Sequence, residues 1–153
     1  MNIQARKTKK ELRTVPDTNI IIAAQSKKPK SPNREYYERW RDGEFDFLYS
    51  EDTMFEYATK LDDLGMSRTE IKEFIQEISK LGIRVYIEYF HLRAYPEDPD
   101  DVAFVLCAEN GKATHLISYD QHILDLKYRQ MFDFKICKII EFLQELRKGQ
   151  FFI

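Results

Sequence analysis

Four acidic side chains stand at positions from which a fold could bring them together. Asp17 follows a short apolar segment of strand type, and Asp120 follows another. Glu56 falls inside a predicted helix, and Asp101 falls in the first turn of a later one. Ligands of open α/β sheets bind outside the carboxyl ends of the strands, so an acid at such an end is a site candidate. The four carboxylates are therefore the first candidates for chemistry in this chain.

Each of the four acids also has an ordinary structural explanation. Asp17 suits the cap of the helix that follows it, and Asp101 suits the positive end of a helix dipole. Glu56 has Lys60 one helical turn away as an ion-pair partner, and Asp120 is typical of a turn. Both the ordinary explanations and a shared site stay open here, because spacing along the sequence does not decide between them.

A shared cup of carboxylates would have a definite chemistry. Crowded carboxylates repel one another, which raises their pKa values and costs stability unless a cation joins them. An oxygen-only ligand set suits Mg²⁺ or Mn²⁺ rather than zinc, because the three histidines lack ligand spacing. A divalent ion in such a cup activates water and neutralises a phosphodiester, which is the equipment of a metal-dependent nuclease. Phosphatase chemistry with Asp17 as nucleophile would need a second acid two residues later, where Asn19 stands.

Strands that alternate with helices position these acids. The alternation predicts an α/β domain with a parallel sheet covered by helices on both faces. Pro16 is unusual in a strand because proline cannot donate to a ladder, and we expect it to end the pairing just before the site. The predicted strands cover about residues 12–17, 45–49, 83–87, 114–118 and 134–137, and the predicted helices about 19–24, 33–42, 51–64, 68–81, 99–110 and 139–147.

The bulk composition is that of one globular domain. The chain has 153 residues, of which 43% are apolar and 33% charged, with a net charge of −2. Residues 1–11 are polar and basic and are predicted to form a flexible arm ahead of one domain at 12–153. No apolar run approaches the ~20 residues of a membrane span, and no signal peptide is recognisable, so we expect a cytoplasmic location. Cys107 and Cys137 lie within apolar patterns and are expected to be buried free thiols.

Four ordered segments of the chain resemble the motifs of PIN domains. The likeness runs from Leu12 to Arg147 and is closest to the single-domain prokaryotic proteins assigned as toxins of toxin–antitoxin pairs. The segments are Asp17-Thr-Asn-Ile-Ile-Ile, Ser50-Glu-Asp-Thr-Met-Phe-Glu56-Tyr, Asp98-Pro-Asp-Asp101 with Ala108 seven residues later, and Leu116-Ile-Ser-Tyr-Asp120-Gln-His-Ile-Leu.

The resemblance implies a three-layer α/β/α domain with a central parallel sheet, acting on RNA as an Mg²⁺- or Mn²⁺-dependent ribonuclease. It also implies a homodimer and an antitoxin protein as partner. Asn19 matches the polar residue after the first acid, and Ser118 matches the small hydroxyl residue two positions before the last acid. Three acids of the quartet, all but Glu56, are the implied metal ligands. The positions that match the family's acidic quartet are Asp17, Glu56, Asp101 and Asp120.

Two features of the motifs depart from a simple match. Pro16 stands where an aliphatic residue is usual, and Asp98 and Asp100 crowd Asp101, which is chosen by its seven-residue spacing to Ala108. A second hypothesis is an RNA-binding or scaffolding protein that keeps the fold without turnover. Intact acids at all four positions argue against it.

A basic loop is the predicted RNA contact. An acidic cup repels RNA, so nearby cations are needed to attract the phosphate backbone, and such contacts carry little sequence preference. The loop from Gln25 to Arg34 leaves the helix that begins at the Asp17 motif, and it contains no acid. Its cations are Lys27, Lys28, Lys30 and Arg34.

An aromatic helix is the predicted dimer contact. Tyr36, Tyr37 and Trp40 recur at helical spacing, which places them on one face as core or interface residues. We expect them to exceed what the core of a domain of this size covers, and to form a two-fold interface.

Overall fold

In the described part of the chain, five parallel strands form the centre of the domain. The computed structural model describes residues 12–25, 31–129 and 131–150. The strands are β1 (Arg13–Pro16), β2 (Asp46–Tyr49), β3 (Ile83–Arg84), β4 (His115–Ile117) and β5 (Lys135–Cys137). They lie in the order β3-β2-β1-β4-β5, and every neighbouring pair is parallel. The predicted parallel sheet is confirmed.

Helices complete the predicted three-layer α/β/α fold. All the predicted helices are present, and one more, the four-residue α6, was not expected because it is too short to show a helical period. Two 3-10 turns lie at Pro99–Asp101 and Asp125–Arg129. The helices are α1 (Thr18–Ala24), α2 (Pro32–Arg41), α3 (Glu51–Asp63), α4 (Arg68–Leu81), α5 (Val102–Asn110), α6 (Gln121–Leu124) and α7 (Ile139–Gln150).

Helix α3, which carries Glu56, is fixed at both ends by local sequence. The Ser50 hydroxyl accepts the Thr53 N–H at 3.2 Å, and the Thr53 hydroxyl accepts the Ser50 N–H at 2.9 Å, so the two residues form a capping box. Gly65, with φ of +86°, ends the helix in the left-handed region that glycine adopts without strain. The start and end of α3 are thus specified by local sequence.

Pro16 sits in the central strand β1 at no cost in ladder hydrogen bonds. In a parallel strand the N–H and C=O of one residue point to the same side, and Asp17 N–H donates to Ile117 O on the β4 side. Pro16 therefore faces β2, where pairing with β1 has already ended at Thr14. Its carbonyl instead accepts the Tyr57 hydroxyl of α3 at 2.6 Å. The expectation that Pro16 ends the pairing holds for the β2 side, whereas pairing with β4 continues through Pro16.

The aromatic face of α2 belongs to the core of the single chain. Tyr36, Tyr37 and Trp40 are all buried, and the Tyr36 hydroxyl is hydrogen-bonded to Thr14 Oγ1 at 2.7 Å. Trp40 packs on Phe47 of β2, with 4.8 Å between ring centroids. The prediction that these rings form an exposed patch is wrong, because the sheet and α4 cover them, and the homodimer loses this support.

Strand β3 is shorter than predicted because its neighbour ends first. Ile83 and Arg84 pair with the last two residues of β2, and the Val85 N–H still reaches Tyr49 O at 2.7 Å. Beyond that point β2 offers no further partner, so the chain leaves the sheet.

Cys107 and Cys137 are buried and free, as predicted. Among the helices of the described ranges, none has the length and apolar character that a bilayer crossing requires.

Candidate active site

The four acids picked out by sequence line one cleft at the carboxyl ends of β1 and β4. Asp17 directly follows β1, Asp120 follows β4, Asp101 directly precedes α5, and Glu56 lines the cleft from α3. The cleft has a volume of about 160 Å³. Its other lining residues are Thr18, Asn19, Lys60, Asp98, Asp100 and Phe104. The sheet edge and two helices thus bring the four carboxylates together, while their roles in a reaction stay a prediction.

Ser118 joins the two acids that follow the strands. Its hydroxyl donates to Asp17 Oδ2 and accepts the Asp120 N–H at 2.8 Å. Ser118 is fully buried, and its own N–H donates to Cys137 O at 3.0 Å. Asp17 Oδ1 also accepts the Ile20 N–H at 3.2 Å, as the cap of α1. The ordinary explanation of Asp17 as a helix cap is therefore correct, and it leaves the acid on the wall of the cleft.

Asp101 is placed by a tight acidic turn. The Asp98 carboxylate accepts the Asp100 N–H at 2.9 Å, and the Asp101 N–H donates to Asp98 O at 3.0 Å. Pro99 begins this turn, where its missing N–H costs no helical hydrogen bond. Asp101 is only 8% exposed, and its Oδ2 has no hydrogen-bond partner among the described residues. A buried carboxylate oxygen without a donor is costly, and it is the kind of atom that a cation satisfies.

Burial and mutual repulsion perturb the two most enclosed acids. Burial raises the pKa of Asp17 to about 6, with a smaller rise from the charge of Asp120, while hydrogen bonds from Ser118 and backbone N–H groups oppose it. Burial also raises the pKa of Asp101 to about 7, and the negative charges of Asp120 and Asp98 raise it further. Near neutral pH this part of the cleft is therefore under electrostatic stress that a bound cation would relieve.

Glu56 lines the cleft from helix α3. Its side chain is half-buried, and burial raises its pKa, followed by the charge of Asp100 and opposed by the charge of Lys60. Asp98 and Asp52 add smaller effects of the same sign as Asp100. The acids whose charges act most on Glu56 are thus those of the Asp98 to Asp100 turn, which lines the same cleft.

The side-chain oxygen atoms that line the cleft are of the kind that a hard divalent cation prefers as ligands. The lining residues of the cleft supply carboxylate, hydroxyl and amide oxygens and include no histidine or cysteine, which suits Mg²⁺ or Mn²⁺. The unpaired Oδ2 of Asp101 and the raised pKa values of Asp17 and Asp101 fit positive charge at this place. In the part of the chain that the structure describes, however, no group of three or more acid, histidine or cysteine side chains is already arranged to hold a metal ion.

The family follows from the match of the chain to a sequence model. The PIN domain model matches residues 13–122, a range that includes β1, all four acids and Ser118. The chain belongs to the PIN domain family. Proteins with a PIN domain are generally nucleases.

A solved structure agrees with the fold of this PIN domain. The crystal structure of VapBC2 from Rickettsia felis, bound to a DNA fragment from their promoter, contains a chain similar to it with a TM-score of 0.55. The match covers 82% of this chain and 97% of that chain, at 11% sequence identity. No protein with a curated description matches the sequence.

The predicted RNA contacts of the PIN domain are only partly within the described residues. Lys27, Lys28 and Lys30 lie outside them, as does the predicted arm at 1–11. Arg34 lies in the first turn of α2, where it pairs with Glu38 at 3.1 Å and donates to a backbone carbonyl of α1. Its guanidinium also stacks over the Tyr37 ring, with 5.5 Å to the centroid. These contacts fold Arg34 onto the domain, so the case for Arg34 as an RNA contact is weaker than its sequence position indicates.

Sequence reasoning missed two residues that shape the site. Tyr57 supports the Pro16 carbonyl at the end of β1, and Phe104 lines the cleft from α5. Both are aromatic residues inside predicted helices, and nothing in their spacing separates them from ordinary core residues. Lys60 was considered only as a partner for Glu56. Its spacing of four residues from Glu56 on α3 was the signal that it shares the same wall of the cleft.

Proposed function

We propose that this PIN domain is a metal-dependent endoribonuclease that hydrolyses phosphodiester bonds of RNA. The observation that supports it most is the meeting of Asp17, Glu56, Asp101 and Asp120 in one cleft, where a buried oxygen of Asp101 has no partner. Helix caps meet at the carboxyl edge of a parallel sheet in any case, but capping does not explain a buried carboxylate oxygen of Asp101 that has no donor among the described residues.

The residues have distinct roles in the proposed reaction. Asp17 and Asp101 would hold Mg²⁺ or Mn²⁺ most directly, and Asp120 and Glu56 would complete the cup or hold its waters. When bound, such an ion lowers the pKa of water and neutralises negative charge on the phosphodiester. Ser118 keeps Asp17 and Asp120 in register through its two hydrogen bonds. The Asn19 side chain, on the wall of the cleft, is available to hydrogen-bond the substrate.

The biological setting is the finer part of the proposal. We propose that the protein acts on RNA in the cytoplasm as the toxin of a toxin–antitoxin pair and is held inactive by an antitoxin protein. The VapBC2 likeness and the sequence motifs support this role and an antitoxin partner.

A homodimer is kept as part of the proposal on family resemblance alone. A mass equal to one chain in light scattering at tens of micromolar protein would refute the homodimer.

The second candidate function is an RNA-binding or scaffolding PIN domain without turnover. The arrangement of the acids in the described residues, with no group of three metal ligands, fits this protein and an empty active site equally. The two functions differ in turnover. The active enzyme cleaves RNA only with the ion present, whereas the inactive protein binds RNA and leaves it intact with or without the ion.

Incubation with a mixed RNA substrate tests the proposal. The wild type is compared with Asp17→Asn and with Asp63→Asn, an exposed acid at the end of α3, each with Mn²⁺ and with chelator. We expect cleavage by the wild type and Asp63→Asn in Mn²⁺ only, and a loss of at least about a hundredfold in Asp17→Asn, the scale of losing a group that stabilises transition-state charge. Intact RNA in every sample would favour the inactive protein. Equal cleavage by Asp17→Asn would remove the cleft from the mechanism.

A further inference from the structure

Lys60 is a cation on the wall of an otherwise acidic cleft. It lies one helical turn after Glu56 on α3, and its side chain is exposed. No other lysine or arginine among the described residues lines this cleft. The acids that line it with Lys60 are Asp17, Glu56, Asp98, Asp100, Asp101 and Asp120.

The ammonium group of Lys60 is not committed to a partner within the fold. Its charge lowers the pKa of Glu56, which shows that the two groups are close. Within the described ranges, however, no carboxylate forms an ion pair with it, whereas Arg34, Arg39 and Arg84 each pair with a glutamate at 3.1 Å or less. The amine is thus held near the cleft by its position on α3 and stays available to a ligand.

A phosphodiester that enters this cleft faces six carboxylates and, among the described residues, one cation, Lys60. A lysine ammonium is a compact charge with three donors, and it binds phosphate as a point charge. From this we infer that Lys60 binds a phosphate group of the nucleic-acid backbone at the mouth of the cleft. The inference rests on the proposed function to the extent that a nucleic acid enters the cleft, and it adds a residue that positions the substrate.

The ordinary interpretation of Lys60 is a surface charge that neutralises Glu56. The two interpretations predict different effects of removing the Lys60 amine once Glu56 is made neutral. If Lys60 only offsets the Glu56 charge, removing the amine has no effect in a Glu56→Gln background. If it holds phosphate, removing the amine weakens binding by the same factor in both backgrounds.

The test is binding of a labelled single-stranded RNA, followed by fluorescence anisotropy in chelator so that the RNA stays intact. The variants are Lys60→Ala, Lys60→Arg and the matched control Lys72→Ala, an exposed lysine on α4. We expect Lys60→Ala to weaken binding severalfold at 0.1 M salt and to reduce the slope of log affinity against log salt by about 0.7, the value for one contact to a single strand. Lys60→Arg should keep the slope, and Lys72→Ala should match the wild type.

The same measurements in the Glu56→Gln background separate the two interpretations, and melting temperatures confirm that all variants fold. An unchanged affinity and slope for Glu56→Gln/Lys60→Ala relative to Glu56→Gln would overturn the inference, as would a wild type that binds no RNA. The failure of the proposed function is distinguishable. A protein that loses RNA affinity through Lys60→Ala but never cleaves RNA in Mn²⁺ keeps the phosphate contact and loses the nuclease activity.

Discussion

Replacing Asp17 with asparagine is predicted to stabilise the protein at alkaline pH and to destabilise it at acid pH. The pKa of the buried Asp17 carboxyl is raised from 3.8 to about 6. At about 1.4 kcal/mol per pH unit, ionising this group lowers the free energy of unfolding by roughly 3 kcal/mol. Because the folded pKa of Asp17 is raised, the contribution of this one group to stability is greatest below pH 4, is lost as the pH rises to 6, and stays lost above that.

The asparagine removes the charge but does not reproduce every contact. Its carbonyl oxygen still accepts the Ile20 N–H, whereas the hydrogen bond from Ser118 is disturbed, at a cost of about 1 kcal/mol. The net prediction is a gain of about 2 kcal/mol at pH 8 and a loss of about 1 kcal/mol at pH 4. For a chain of this length, the gain at pH 8 corresponds to a rise in melting temperature of about 4–8 °C.

Urea unfolding in chelator, repeated between pH 4 and pH 8.5, measures the loss of stability of Asp17→Asn at acid pH and its gain at alkaline pH in one series. Asp63→Asn serves as the control, because this exposed carboxylate should change stability little at any pH. A difference between Asp17→Asn and wild type that stays constant over this range would refute the reasoning. It would mean that Asp17 acts in the fold as a cap alone and that its ionisation is not opposed by burial.

Three further predictions concern the ion and the supports of the site. Saturating Mn²⁺, at about 100 times its dissociation constant, should stabilise the wild type by about 2.7 kcal/mol in thermal unfolding. An Asp17→Asn/Asp101→Asn variant should gain no stability from Mn²⁺. An equal gain in this variant would place the ion elsewhere. Tyr57→Phe should lower the free energy of unfolding by about 1–3 kcal/mol in urea, because the buried Pro16 carbonyl loses its donor; an unchanged midpoint would contradict this. Ser118→Ala should raise the pKa of Asp17, because the hydrogen bond from Ser118 lowers it, so that the loss of stability with rising pH still begins near pH 4 but continues to a higher pH than in wild type. The same urea series measures this, and a profile that ends at the same pH would count against the contact.

The strand-end acids could be predicted from sequence because local patterns determine them. Asp17 and Asp120 follow apolar segments that became β1 and β4, and parallel strands bring their carboxyl ends to one edge. Asp101 was less determined, since Asp98 and Asp100 share its turn. The structure separates them by burial, as Asp101 is enclosed and Asp100 is exposed.

What failed in prediction depended on contacts distant in sequence. The period of Tyr36, Tyr37 and Trp40 defines a face of α2, but it does not say whether another chain or the domain's own sheet covers that face. Pro16 looked unfavourable in a strand because the sequence does not show which neighbouring strand the Pro16 nitrogen faces. The register of β1 against β4 turns the Pro16 nitrogen away from β4, and the Tyr57 hydroxyl of α3 donates to the Pro16 carbonyl.

The most direct test of the central claim is the chemistry of the cleaved ends. The proposed reaction is attack by water on the phosphodiester, so it does not need the ribose 2′-hydroxyl at the scissile bond. An RNA with one mapped cleavage site is compared with the same RNA carrying a single 2′-deoxy sugar there, in Mn²⁺ and in chelator. We predict cleavage of both RNAs in Mn²⁺, with linear phosphate ends, and of neither in chelator. Cleavage that continues in chelator, stops at the 2′-deoxy sugar and leaves a 2′,3′-cyclic phosphate would contradict the account.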